Sequence, residues 1–274
     1  GEYRKKKKIT VFGSARTTPD EPVYAMASLF GRRLAEEGYM VITGAGGGIM
    51  HAVNEGAGPD NSFGVNISLP FEQAPNPVLL GNPRLITYKY FFNRKVAFVK
   101  EADAIALFPG GFGTLDEAME TLTLVQNGKH TPLPLILIDE TGGTYWKRWI
   151  NFFREELLAE GYISESDFYL FERVDSVESA IEKINMFYRR YHSMRHVGPK
   201  LVIRLISELD DDFLSELKSR FSEMLVPLGN VYRSGPLPEE ADEPELAELP
   251  RIVLDFNQRS FGRLRLFIDA INRH

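Results

Sequence analysis

What most constrains the fold of this chain is a repeated unit of short apolar run, glycine turn and helical periodicity. Residues 9–12 are apolar and stop at Gly13-Ser14. Residues 39–42 run into Gly44-Ala45-Gly46-Gly47-Gly48, and residues 104–108 into Pro109-Gly110-Gly111-Phe112-Gly113-Thr114. Helical patterns follow each turn: Met26, Leu29, Phe30 and Leu34 share one face before Gly38, and further helices are predicted over 49–55 and 114–126. Strands are also predicted over 63–69, 85–88 and 135–138, and helices over 91–100 and 146–158. Continuous apolar runs mark strands buried on both faces, and their alternation with helices predicts an α/β, doubly wound, mostly parallel sheet. In such sheets ligands bind beyond the carboxyl ends of the strands, where both long glycine turns fall.

The pattern breaks near Arg195-His196-Val197-Gly198-Pro199. Beyond it come a strand (200–206), a helix (213–224), a strand (230–232), an exposed Pro- and Glu-rich loop (235–248), a strand (251–256) and a helix (261–271). This reads as a small C-terminal α+β appendage of β-α-β-β-α form. The expected division is therefore 1–194 and 195–274, which suits a chain of 274 residues.

Composition narrows the function classes. With 32 basic and 38 acidic residues the net charge is −6, which argues against a nucleic-acid partner. Cysteine is absent, so disulfides and thiolate chemistry are excluded, and the five histidines lack metal-ligand spacing. Neither a metal nor another cofactor is expected. No apolar stretch is long enough to span a bilayer, and the basic run 4–8 reads as a solvated lead-in, so the expectation is a cytoplasmic protein with no membrane contact.

A glycine turn between a strand and a helix presents unpaired backbone N–H groups and the positive end of the helix dipole, an anion site. Neither turn is a Walker or dinucleotide fingerprint. From spacing alone, Gly110, Gly111 and Gly113 either cradle a phosphate or merely permit close packing. Thr114 and Glu117 have capping-box spacing, which leaves Glu117 as a helix cap, as a reactive carboxylate at the anion site, or as both. Arg94 and Lys95 lie in an otherwise apolar helix, where a cation pair calls for a partner. Nothing around Lys95 supports a Schiff base with pyridoxal phosphate. Ser14 has no nucleophile elbow. The remaining Tyr and Phe side chains read as core or dimer contacts.

Together these residues resemble the LONELY GUY family of nucleoside-monophosphate phosphoribohydrolases, often labelled lysine decarboxylases. Its signature Pro-Gly-Gly-x-Gly-Thr-x-x-Glu is complete from Pro109 to Glu117, with Arg94-Lys95 upstream, Gly13-Ser14 at a strand end and Thr43-Gly44-Ala45-Gly46-Gly47-Gly48-Ile49-Met50 similar to the second turn. Asn66-Ile67-Ser68-Leu69-Pro70-Phe71-Glu72-Gln73 and Tyr90-Phe91-Phe92 resemble the longer bacterial branch. The likeness covers roughly residues 8–191. Ala45, Gly48 and His51 depart from what is common there. The resemblance implies hydrolysis of the N-glycosidic bond of AMP-like nucleotides, including cytokinin riboside monophosphates, by a homodimer or higher homo-oligomer. It implies Arg94 and Glu117 as the catalytic pair. Gly13, Ser14, Gly44, Gly46, Gly47, Gly48, Lys95, Gly110, Gly111, Gly113, Thr114 and Thr123 would contact substrate. The alternative is a carrier that binds a nucleotide or pterin cofactor on the same fold without turnover.

Overall fold

A computed structural model describes residues 3–68, 71 and 74–274. Leu69, Pro70, Glu72 and Gln73, and with them much of the bacterial-branch motif and the expected end of the 63–69 strand, lie outside the described residues. The chain forms two compact units, one of residues 1–124, 133–165 and 171–184, the other of 125–132, 166–170 and 185–274.

In the first unit, the strands are β1 (Lys8–Phe12), β2 (Met40–Thr43), β3 (Ser62–Ile67), β4 (Leu85–Tyr88), β5 (Ala104–Leu107), β6 (Leu135–Ile138) and β7 (Glu172–Val174). The helices between them are α1 (Pro22–Glu36), α2 (Ile49–Ala57), α3 (Phe91–Lys100), α4 (Phe112–Gln126), α5 (Tyr145–Phe152) and α6 (Val177–Phe187). All seven strands are parallel, in the order β4-β3-β2-β1-β5-β6-β7. This is the doubly wound α/β fold. β2, β5 and β6 are buried at every residue, as their unbroken apolar runs require. The polar exception within the run 9–12 of β1, Thr10, is fully buried and donates its hydroxyl to the carbonyl of Phe98 at 2.8 Å. On one face a core forms around Ile9, Val11, Phe30, Val41, Val53 and Phe108. β7 and α6 have no counterpart among the elements expected from sequence. β7 is a three-residue edge strand, whereas α6 has a legible apolar face in Val177, Ala180, Ile181 and Ile184. The expected helix over 146–158 is α-helical only to Phe152 and continues as a π-helical segment, Phe153–Leu158.

The second unit contains β8 (Tyr191–Val197), β9 (Lys200–Leu205), α7 (Asp211–Arg220), β10 (Val231–Ser234), β11 (Arg251–Leu254) and α8 (Phe261–Arg273). Its antiparallel sheet runs β10-β11-β9-β8. Gly198-Pro199, where the pattern breaks, is the two-residue loop of the β8–β9 hairpin, with Gly198 at φ +55°. The expected boundary after Met194 therefore falls inside β8, and the order is β-β-α-β-β-α. β8 carries Tyr-His-Ser-Met-Arg-His-Val and is only half-buried along most of its length, so it has no apolar signature. Leu201, Ile203, Ile252 and Leu254 share a core with residues of α7 and α8. Val202, Arg204, Arg251 and Val253 alternate with them and are buried too. The segment 235–250 is not simply the exposed loop expected from its composition. Glu240 is 3% exposed and ion-pairs with both Arg204 and Arg251. Among the described residues no helix is long and apolar enough to cross a membrane.

Candidate active site

The strand order reverses direction between β1 and β5, so the loops leaving their carboxyl ends diverge around a crevice. Those loops are Gly13-Ser14 and Pro109-Gly110-Gly111. They are tied together at the base, where the Ser14 N–H donates to the Pro109 carbonyl at 3.1 Å. A Cβ on Gly110 would meet the Thr114 hydroxyl at 2.1 Å and the Ser14 nitrogen at 3.0 Å, so packing alone demands glycine there. Gly111 and Gly113 differ. A Cβ on either meets nothing within 4 Å, and neither has a positive φ. Neither packing nor backbone conformation explains them, and glycine in a first helical turn costs about 0.5–1 kcal/mol relative to alanine. The space they keep clear lies outside the protein.

The polar groups of this turn are sorted by direction. Its carbonyls are occupied: Pro109 by the Ser14 amide, Gly110 by the Tyr145 hydroxyl at 2.7 Å, Gly111 by the Leu115 amide at 3.1 Å. Leu115 is the first residue of the run whose N–H meets a carbonyl. The amides before it, at the N-terminus of the 15-residue α4, are left for solvent or an anion.

The second turn closes on the first. Gly48 has φ +61°, and a Cβ there would stand 2.2 Å from the Ser14 carbonyl, which accepts the Ile49 amide at 3.0 Å. Gly13 is held against Ile49, while Gly47 makes only ordinary contact with the Ala15 carbonyl. Ala45, one of the departures from the family pattern, holds φ +64°, a conformation that costs a side-chain-bearing residue about 1–3 kcal/mol. A buried network offsets that strain. The Thr43 hydroxyl accepts the Ala45 amide and donates to Asn54, and Asn76 donates from its backbone to Ala45 and from its side chain to Gly46 and Asn54. Asn54 and Asn76 are not among the site residues expected from sequence, since buried asparagines far apart in the chain carry no local signal.

Arg94 is turned inward from α3. Its Nε donates to the Val65 carbonyl at 3.0 Å and its Nη2 to Gly44 at 3.3 Å, directly beneath the second turn. The guanidinium lies over the Phe98 ring, 5.3 Å from its centroid. Burial lowers its pKa, and the charge of Glu117 opposes that effect. Glu117 is 8% exposed, and its Oε2 is buried without a hydrogen-bond partner among the described residues. Burial pushes its pKa up to about 7; Lys95 and Arg94 pull it down, and Glu120 and Asp116 add to the rise. The capping box is not formed. α4 begins at Phe112, which makes Thr114 its third residue rather than its N-cap. Of the readings left open for Glu117, the helix cap is therefore not the one the structure forms.

Lys95 points the other way, to Asp116 and Glu120, with Nζ 2.7 Å from an oxygen of each. Burial depresses its pKa, but these hydrogen bonds outweigh it and hold the ammonium charged. A lysine so held is a poor Schiff-base nucleophile. It acts as a brace between α3 and α4 and as a nearby positive charge for Glu117. Thr123 stands apart. It is exposed, and its hydroxyl returns to the Met119 carbonyl one turn back. Among the described residues, no group of three His, Asp or Glu side chains is placed to hold a metal ion.

Comparison with known proteins adds a family to this geometry. A rice protein, cytokinin riboside 5′-monophosphate phosphoribohydrolase LOG, is 30% identical over 173 residues, covering 60% of this chain and 67% of the relative. A second rice protein, a probable phosphoribohydrolase of the same kind named LOG4, is 27% identical over 181 residues, covering 64% and 75%. Among solved structures, a molybdenum cofactor binding protein from Rippkaea orientalis matches with a TM-score of 0.47 and 22% identity, covering 66% of this chain and 97% of that one. The molybdenum cofactor carrier protein of Chlamydomonas reinhardtii matches with a TM-score of 0.44 and 19% identity, covering 66% and 96%. The family described as possible lysine decarboxylase matches residues 47–184, half of the chain and the part that holds both Arg94 and Glu117, and this protein belongs to that family, the LOG family.

Proposed function

We propose that the protein hydrolyses the N-glycosidic bond of nucleoside 5′-monophosphates, releasing free base and ribose 5-phosphate. The observation that carries this reading is Glu117, a buried carboxyl with an unpartnered oxygen and a pKa near 7, set beside Arg94 at the foot of an amide cradle. Breaking the bond from C1′ to the base nitrogen leaves positive charge on the ribose, and the departing base takes the electron pair and a proton. Ionised Glu117 stabilises that charge and removes a proton from the water that adds to C1′. The open amides from Gly111 to Thr114 hold the 5′-phosphate, and Arg94 fixes the sugar through the edge of its guanidinium not spent on Val65 and Gly44. The names of the rice relatives point to the same bond, with cytokinin riboside monophosphates as their substrates.

The test is incubation with AMP, GMP, CMP, UMP and N6-prenyl-AMP followed by chromatography. At least one is expected to yield free base and ribose 5-phosphate. If all survive, the hydrolase reading fails, and tight binding without turnover would point to the carrier instead.

We further propose that the working form is a homodimer closed over the outer faces of α3 and α4. Phe92 and Val96, one turn apart on α3, and Phe112 and Met119 on α4 are exposed large apolar side chains, and Phe112 is 93% exposed. Sedimentation is expected to give a dimer, and Val96→Glu a monomer. A monomeric wild-type protein would refute this.

A further inference from the structure

The peptide that joins Gly110 to Gly111 is flanked by glycine on both sides. A peptide flip turns ψ of the first residue and φ of the second through a half-turn, and glycine alone accepts the positive φ that results. Room for Thr114 and for the open space outside thus selects the pair of residues least able to keep this peptide in one orientation. The orientation decides the charge of the site. Carbonyl and N–H point in opposite directions across a trans peptide. With the Gly110 carbonyl held by the Tyr145 hydroxyl, the Gly111 N–H points the opposite way; flipped, a carbonyl oxygen would stand where that N–H stands.

Among the described residues, one side chain holds that carbonyl. The Tyr145 hydroxyl donates to it at 2.7 Å. Burial raises the Tyr145 pKa, which keeps the hydroxyl a proton donor. The ring is aimed by a rigid mount. Asp139, fully buried at the end of β6, accepts the Trp146 amide at 2.9 Å and Arg173 Nε at 2.6 Å, and Arg173 also donates to the Gly143 carbonyl at 2.9 Å. The start of α5 is thereby fastened to the ends of β6 and β7. Trp146 packs edge-on against the Tyr145 ring, with centroids 4.7 Å apart.

We propose that Tyr145 is a positioning residue that locks the Gly110–Gly111 peptide with its N–H toward the phosphate of the substrate. This rests on the reading of the turn as a phosphate cradle. Tyr145 does not touch the reacting atoms; it acts through the turn.

The test is Tyr145→Phe, which keeps the ring and removes the hydroxyl. Affinity for AMP by calorimetry and for inorganic phosphate by phosphorus NMR is expected to fall about fivefold to tenfold, the worth of one hydrogen bond and the orientation it holds. KM for the nucleotide should rise by the same factor with kcat within about twofold, and slow hydrolysis of the corresponding nucleoside, which has no phosphate, should not change. A merely structural tyrosine would lower nucleotide and nucleoside hydrolysis alike, and that outcome overturns the proposal. Equal AMP and phosphate affinity in both proteins overturns it, and so does a wild-type protein that binds neither. Should the wild type bind AMP without cleaving it, the hydrolase reading fails while the binding comparison still decides the role of Tyr145.

Discussion

Replacing Glu117 by glutamine is expected to stop base release while making the protein more stable above pH 7. Glutamine keeps the shape but cannot take the proton from water, and loss of a positioned general base costs about a hundredfold or more in rate. The stability gain follows from linkage. In the unfolded chain the carboxyl titrates near its ordinary value of 4.5, in the folded protein near 7. A carboxyl whose folded pKa is raised contributes its full stability below the unfolded value and loses it as pH rises through the folded value. At pH 8 the buried charge therefore costs up to about 3 kcal/mol, which the glutamine variant is spared. Urea denaturation at pH 5.5 and pH 8 should show wild-type stability falling between the two pH values and the variant's holding. The same titration predicts that wild-type kcat/KM climbs as pH passes through about 7, since the proposed reaction uses the ionised form. A variant that tracks the wild type at both pH values would mean that Glu117 is not held protonated by its surroundings.

Glu240→Ala is expected to destabilise the second unit by about 3–5 kcal/mol, the usual cost of removing one partner from a buried ionic cluster. Glu240 Oε1 accepts Arg204 Nε at 2.9 Å, Arg204 Nη2 at 2.8 Å and a third bond from Arg251 Nη1, while Oε2 accepts the Leu237 amide at 2.8 Å. Both arginines are buried on the sheet face opposite the helices, so alanine leaves two guanidinium groups short of their shared carboxylate. Burial alone raises the Glu240 pKa, but the Leu237 amide, Arg204 and Arg251 together bring it below the ordinary carboxyl value. Its contribution is therefore present at neutral pH and lost only as acid carries the pH down through that lowered value. The control is the triple variant Arg204→Met, Glu240→Leu, Arg251→Met, expected near wild-type stability because apolar side chains of similar volume replace the whole cluster. Denaturant midpoints measure both. A loss below about 1 kcal/mol for Glu240→Ala would show that Glu243 and the neighbouring carbonyls suffice to hold the arginines.

Legibility in the sequence followed the range of each interaction. Strands β2, β5 and β6 announce themselves because every residue is buried, whereas β8 does not, being half-buried at the sheet edge. The Thr114–Glu117 spacing is compatible with a cap and with a reactive acid alike; the start of α4 at Phe112 removes the cap. Lys95 reads as a partner of Arg94 in one cation pair, yet in space the two point apart, because neighbours on a helix are about 100° apart around its axis. Tyr145 reads as one more packing aromatic until its hydroxyl is seen on the Gly110 carbonyl.

By itself, then, the sequence determined the parallel α/β architecture and the glycine turns at strand ends, since these rest on apolar periodicity and local spacing, while the pairing of Arg94 with Glu117 came from the family resemblance. The tertiary structure alone decided that Gly110 is a packing residue while Gly111 and Gly113 face open space. It alone placed Tyr145 behind the turn, Asn54 and Asn76 under its neighbour, and Glu240 between two buried arginines. Tyr145 and Gly110 are 35 positions apart, Asn54 and Asn76 22, and Arg204 and Glu240 36, and they are joined by burial and hydrogen bonding, which local pattern does not encode.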